Sequence, residues 1–275
     1  MTPYETFTKS IRVWRREPLL LYVFARILAR LDIGSYNFRL HVQAFDRIGY
    51  AYGVYQAAYL AKQLGHDRVS VLELGVAGGD GLVALERLAK KAEKELKIQV
   101  DVYGFDMGSG LPTPQDYRDL PYHWQGGFYQ MDEKALRQRL TRAKLVLGDV
   151  ADTIKTFFDK YNPAPIGFVS VDLDYYSSTA AALTMFNASS NYLLPRIFCF
   201  FDDVVGATIE LYNDYTGELA AIREFNLSHP DAKICPIKHL RMNHWADHMF
   251  AVHLFSHPQY NTFVSEVDQQ LKLKR

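Results

Sequence analysis

From about residue 50 the chain alternates between two apolar patterns. Short, nearly continuous apolar runs at residues 69–74, 100–105, 145–147, 166–171 and 197–201 have the length and content of buried strands. Between them, residues 50–63, 82–96, 134–142, 153–161, 178–192 and 209–225 carry helical spacing. Leu82, Leu85, Leu88, Ala89 and Ala92 share one side, as do Ile154, Phe157 and Phe158. Residues 234–239 and 249–255 complete the set as two further strands. Apolar strands separated by helices form βαβ units. The fold class expected is therefore α/β, a Rossmann-like, mainly parallel seven-stranded sheet with helices on both faces.

Residues 1–45 have a separate helical pattern. Leu19, Leu20, Tyr22, Val23, Ile27, Leu28 and Leu31 fall near one stripe, with Arg26 and Arg30 mostly off it. This predicts an N-terminal helical extension over 1–45 and a Rossmann-like domain over 46–275. The polar face is short, so the extension is expected to pack on the domain or on a second copy of the chain, making a homo-oligomer. Stable insertion in a bilayer is not expected, since the apolar stretch 18–25 is far below the ~20 residues of a span.

In open α/β sheets ligands bind beyond the carboxyl ends of the strands, so the residues there carry the chemistry. The first strand ends in Glu73-Leu74-Gly75-Val76-Ala77-Gly78-Gly79-Asp80-Gly81 and leads into a helix. Glycines permit a tight turn and a close ligand approach. A carboxylate at Glu73 would repel a pyrophosphate and attract a cationic amino group. The second strand ends at Asp106, placed to accept from ribose hydroxyls or to cap a turn before Gly108 and Gly110. The third ends at Asp149, which suits an adenine amino group or the N-cap of the next helix.

The fourth strand runs into Asp172-Leu173-Asp174 and the fifth into Asp202-Asp203. If the two strands are neighbours, Asp172, Asp202 and Asp203 converge. Three carboxylates at one point repel unless a cation joins them. An all-oxygen set suits Mg²⁺ or another hard divalent ion. The alternative is that these acids cap helices and are solvated.

These motifs, in this order, resemble the class I S-adenosylmethionine-dependent methyltransferases over roughly residues 50–255. The acid pair of segments is similar to the metal-dependent macrocin O-methyltransferase group. The resemblance implies that Glu73, Gly75, Val76, Ala77 and Gly79 hold the methionine part of the cofactor. It implies that Asp106 holds the ribose, Met107 packs near the adenine and Asp149 bonds its amino group. Asp172, Asp202 and Asp203 match metal ligands, with Asp172 also counted among the cofactor-binding and catalytic residues. Asp174 matches a second acid and is a candidate general base. The reaction implied is methyl transfer to a hydroxyl of a small-molecule acceptor, a sugar or a phenol.

His239, His244, His248, His253 and His257 crowd the C-terminal end and offer a rival base. Trp245 stands where a zinc-protease H-E-x-x-H would need Glu. Residues 121–129, Pro-Tyr-His-Trp-Gln-Gly-Gly-Phe-Tyr, read either as a loop that closes over the site or as a surface loop pinned by aromatic packing. Asn213, Thr216, Gly217 and Glu218 form a polar cluster without an assigned role. Two other function classes fit the fold. Intact acids at 172, 202 and 203 argue against a non-catalytic nucleoside-binding module. Glu73 and the missing G-x-G-x-x-G spacing argue against an NAD-dependent oxidoreductase.

Composition narrows the partners. Lys+Arg and Asp+Glu are both 31, and this zero balance points away from nucleic acid. Two cysteines, Cys199 and Cys235, make neither a disulfide framework nor a zinc site. Arg15, Arg16 and Glu17 precede any apolar stretch, unlike a signal peptide, and a cytoplasmic location is expected.

Overall fold

The computed structural model describes residues 19–240 and 245–265. Three helices, α1 (Leu19–Leu31), α2 (Tyr36–His41) and α3 (Ile48–Gln63), precede β1 (Arg68–Leu74), α4 (Asp80–Leu96) and β2 (Gln99–Asp106). After a long loop come α5 (Glu133–Arg139), β3 (Lys144–Leu147), α6 (Val150–Tyr161), β4 (Ile166–Val171), α7 (Tyr176–Leu183) and β5 (Leu193–Phe201). A second loop leads to α8 (Gly217–Ser228), β6 (Ala232–Pro236) and β7 (Met249–Leu254).

The sheet has seven strands in the order β3-β2-β1-β4-β5-β7-β6. Strands β1 to β5 pair in parallel, and β7 is antiparallel to both β5 and β6. Every residue of β4 is buried, as is every residue of β1 after Arg68, because helices cover both faces. The expected helix face Leu82, Leu85, Leu88, Ala89, Ala92 is the buried face of α4. The strand order reverses between β1 and β4, which opens a crevice at their carboxyl ends.

Several expected boundaries move. Residues 209–216 are loop, and the helix there begins only at Gly217. Ile209 and Leu211 are exposed, so no apolar face holds a helix there. Asn213 also bonds locally, donating to the Leu211 carbonyl and Thr216 Oγ1 and accepting from the Tyr215 N–H. The helix expected over 178–192 stops at Leu183 and continues as 3₁₀ turns at Thr184–Asn187 and Ser190–Tyr192. Strand β5 starts at Leu193, and its register against β4 shifts between Ile166 and Phe168. The strand expected to reach residue 239 ends at Pro236, followed by a 3₁₀ turn at Lys238–Leu240.

The N-terminal stripe also differs. Helix α1 buries Ala25 and Leu28 against Ala44, while Val23, Phe24, Ile27 and Leu31 are exposed. The contact is small, and its buried side is only partly the apolar stripe of the sequence. Helix α2 is tied more firmly: Glu95 accepts from the backbone N–H groups of Tyr36 and Asn37, and the Tyr36 hydroxyl donates to the Ala51 carbonyl. The expected helical character of residues 1–18 and the placement of His244 lie outside the described residues. Among the described residues no helix is long and apolar enough to cross a membrane.

Candidate active site

Strand β1 delivers Glu73, 2% exposed, beneath the glycine-rich loop. The Tyr50 hydroxyl of α3 donates to Glu73 Oε1 at 2.9 Å, and Ser170 Oγ of β4 donates to the Tyr50 oxygen at 2.7 Å. Glu73 Oε2 has no hydrogen-bond partner among the described residues. Burial raises the Glu73 carboxyl to about 8, against the opposing pull of the Tyr50 hydrogen bond. The next helix begins beside it: a Cβ at Gly81 would lie 1.8 Å from Glu73 Oε1, so any other residue there would displace the Glu73 carboxyl.

Asp106, at the end of β2, organises the same loop. Its Oδ2 accepts from the N–H groups of Val76 at 2.9 Å and Ala77 at 2.8 Å. Its Oδ1 accepts from the Gly108 N–H at 2.5 Å. These bonds hold Ala77 at φ +45°, in the left-handed region. The carboxylate expected at the ribose is thus first a brace for the turn. Met107 beside it is half-buried. Asp149 is exposed and caps α6, accepting from the Ala151 N–H at 2.8 Å.

Parallel pairing of β4 with β5, as far as Val171 opposite Phe201, brings the next residues together. The carboxylate oxygens of Asp172, Asp202 and Asp203 lie within 4.8 Å of one another. Asp203 is buried, Asp172 half-buried and Asp202 exposed. Among the described residues no lysine, arginine or histidine forms an ion pair with any of the three. Burial, then Asp202 and Asp203, pushes the Asp172 carboxyl well above the usual range. Burial raises Asp203 to about 6. The cluster is therefore electrostatically unbalanced as it stands. Its donors are all carboxylate oxygens, which fits a hard divalent cation.

Neighbours fix these acids in place. Asp203 Oδ1 accepts from the Tyr212 hydroxyl at 2.7 Å, and Oδ2 from the Asp174 N–H at 2.9 Å. Asp174 is buried with φ +58°, and burial followed by Asp203 and Asp202 raises its carboxyl to about 8. Left-handed backbone at a non-glycine residue stores strain, which commonly marks functional positions. Glu218, fully buried in the first turn of α8, accepts from the N–H groups of Leu173 and Asp203.

The histidines separate. Antiparallel β7 sets His253 opposite Arg196, toward the amino end of β5. There His253 bonds the Tyr260 hydroxyl, and His257 lies near the carbonyls of Ser190 and Leu193. His239 pairs with the Tyr52 hydroxyl. His248 stands at the carboxyl end of β5, its Nδ1 2.8 Å from the Phe201 carbonyl and its ring stacked on Phe200.

The aromatic loop is pinned. Leu111 donates to the Phe128 carbonyl, and Gly127 returns a bond to the Leu111 carbonyl, both at 2.8 Å. Buried Asp119 accepts from the N–H groups of Gln115 and Ser177 and from Ser177 Oγ. Leu120, Trp124 and Tyr175 pack with Leu111 and Tyr212. The Tyr122 hydroxyl donates to the Glu210 carbonyl at 2.7 Å, which joins this loop to the one after β5. Burial and the nearby Asp174, Asp203 and Asp172 raise the Tyr129 hydroxyl to about 12, so this ring borders the acids.

Tyr50, Tyr212 and Asp119 had no motif to mark them in the sequence. Glu218 did belong to the unassigned polar cluster.

No family model matches the chain, and no curated protein matches it. Solved structures do. CalS11, a calicheamicin methyltransferase, is 20% identical, with 92% of this chain and 93% of that chain covered at a TM-score of 0.53. The chain has a methyltransferase fold. The methyltransferase fold puts the glycine loop, Asp106 and the acid cluster along one sheet edge. At this identity the likeness to CalS11 establishes the fold and nothing finer. Two looser likenesses add nothing to it. The O-methyltransferase NovP is 15% identical, with 76% of this chain and 90% of that chain covered at TM-score 0.49. The O-methyltransferase TomG from Streptomyces achromogenes, solved with SAM, is 15% identical, with coverage of 88% and 94% at TM-score 0.41.

Proposed function

We propose that this chain is an S-adenosylmethionine-dependent O-methyltransferase, assisted by a divalent cation, acting on a hydroxyl of a small molecule such as a sugar or phenol. The catalytic unit is residues 46–275, with 1–45 as its helical extension. The observation that carries the reading is the convergence of Asp172, Asp202 and Asp203 beside the glycine-rich loop, where Gly75 lies against the Asp172 backbone. The occurrence of this fold in CalS11, itself a methyltransferase, supports it.

Glu73 and the loop at 75–79 receive the methionine end of the cofactor, with the unpartnered Glu73 Oε2 available to its ammonium group. The remaining lone pair of Asp106 Oδ1 faces the ribose. Met107 borders the adenine. Asp149 reaches the adenine amino group only with its uncommitted oxygen, since Oδ1 caps α6. Asp172, Asp202 and Asp203 would hold Mg²⁺. When bound there, a divalent cation lowers the pKa of an acceptor hydroxyl and orients it. Asp174, whose raised carboxyl a cation bound beside it would return to the ionised form, would take the hydroxyl proton. His248 is the other base at this edge, and Asp174 is favoured because its backbone N–H donates to Asp203, which sets the residue beside the acid cluster. The loops at 107–131 and 203–216, joined by the bond from Tyr122 to the Glu210 carbonyl, would wall the acceptor side.

The test is methyl transfer from labelled S-adenosylmethionine to a panel of vicinal-diol sugars and catechols. Turnover should vanish in chelator and return with Mg²⁺. Asp202→Asn should remove it while leaving cofactor affinity within about 3-fold, since most cofactor contacts lie on β1 to β3. Full turnover in chelator contradicts the metal role.

A further inference from the structure

We propose that Glu218 is the positioning residue that sets the spacing of the acidic trio, and through it the affinity for a divalent cation. This rests on the metal reading above. The last ladder pair of β4 and β5 is Val171 with Phe201, and one further bond runs from the Asp202 N–H to the Val171 carbonyl at 3.0 Å. The Asp172 N–H is held by the Leu74 carbonyl of β1 at 2.9 Å, but among the described residues no further backbone bond joins β4 to β5, and Asp203 lies past the last one.

Glu218 supplies the missing link. Its Oε1 accepts from the Leu173 N–H at 3.4 Å and its Oε2 from the Asp203 N–H at 3.1 Å. Leu173 follows Asp172 directly, and Asp203 is itself one of the trio, so one side chain spans both strand ends. The segment that carries it is tied by hydrogen bonds. Asn213 bonds three neighbours within the turn before α8, and Tyr212 from the same segment grips the Asp203 carboxylate. Residues 212–218 therefore hold Asp203 by both its side chain and its backbone, which gives the polar cluster of the sequence a common purpose.

A carboxylate here satisfies two backbone N–H groups at a cost in charge. It is fully buried and adds a fifth acid, after Asp172, Asp174, Asp202 and Asp203, to a site already short of positive charge. Buried acids cost free energy unless matched, and Glu218 is matched by the Leu173 and Asp203 N–H groups, which an apolar side chain would leave without acceptors. What a carboxylate does provide is two acceptors at a fixed separation. Mg²⁺ demands near-octahedral oxygens at about 2.0–2.1 Å, so small displacements of its ligands matter.

The test is Mn²⁺ binding followed by electron paramagnetic resonance, without cofactor or acceptor. Glu218→Gln replaces one acceptor by a donor that opposes an N–H. Glu218→Asp keeps the charge and falls one methylene short. Both should weaken Mn²⁺ about 10–100-fold. Affinity for S-adenosylhomocysteine should stay within about 3-fold, because the loop at 73–79 is untouched. Wild-type Mn²⁺ affinity in either folded variant overturns this inference alone. Equal losses of Mn²⁺ and S-adenosylhomocysteine affinity also overturn it, as would failure of both variants to fold, since Glu218 would then serve the fold. Absence of Mn²⁺ binding by the wild type contradicts the metal reading itself.

Discussion

The carbonyl oxygen of Asp172 occupies the space where a side chain on Gly75 would begin. A Cβ there would lie 1.8 Å from it, and the Gly75 backbone has φ +87°. The Asp172 N–H in turn donates to the Leu74 carbonyl at 2.9 Å. The proposed cofactor loop and the first acid of the trio are thus in direct backbone contact across the β1/β4 crevice. Gly75→Ala has no neighbouring flexible side chain to displace, so loop or acid must move. It should lose both S-adenosylhomocysteine and Mn²⁺ affinity by at least about 10-fold, roughly 1.4 kcal/mol, in calorimetric and spin-resonance titrations. Loss of one without the other would show that the two sites are independent.

Glu73 gives a pH signature. Its carboxyl is raised from the ordinary 4.5 to about 8 in the fold. Between those values the unfolded chain has lost the proton and the folded one keeps it, so stability falls as pH rises through this window. It is full below about 4.5 and levels off above about 8. Asp172, Asp174 and Asp203, also raised, add slope of the same sign. Glu73→Gln should flatten the slope by up to about 1.4 kcal/mol per pH unit, one proton's worth, in urea unfolding at pH 5 to 8 in chelator. An unchanged slope would mean that Glu73 ionises normally.

Asp106→Ala removes three bonds between a carboxylate and backbone N–H groups of the loop and its exit. Bonds to a charged partner are each worth about 1.5–3 kcal/mol. S-adenosylhomocysteine affinity should fall roughly 10-fold or more even before any ribose contact is counted. Calorimetry giving equal affinity for wild type and variant would separate Asp106 from the site.

The sequence made some of this visible and hid the rest for physical reasons. An apolar strand followed by an acid is a local pattern, so the order of residues alone suffices to put Glu73, Asp106, Asp172, Asp202 and Asp203 at one sheet edge. Helix faces such as Leu82 to Ala92 were legible because burial follows their spacing. Ile209 and Leu211 carried similar spacing but face solvent, and Asn213 diverts the backbone into a turn. Tyr50 and Glu218 act through partners far away in the chain: Tyr50 with Glu73 and Ser170, Glu218 with Leu173. Such pairings exist only once the sheet has formed. The histidines looked like one group because they are close in sequence. Antiparallel β7 carries His253 away from the edge where His248 begins it.

Calorimetric titration of S-adenosylmethionine into the purified protein tests the central claim most directly. One cofactor per chain should bind, S-adenosylhomocysteine should compete for the same site, and NAD should give no heat. No binding of S-adenosylmethionine by the folded wild type, or preferential binding of NAD, would contradict the assignment.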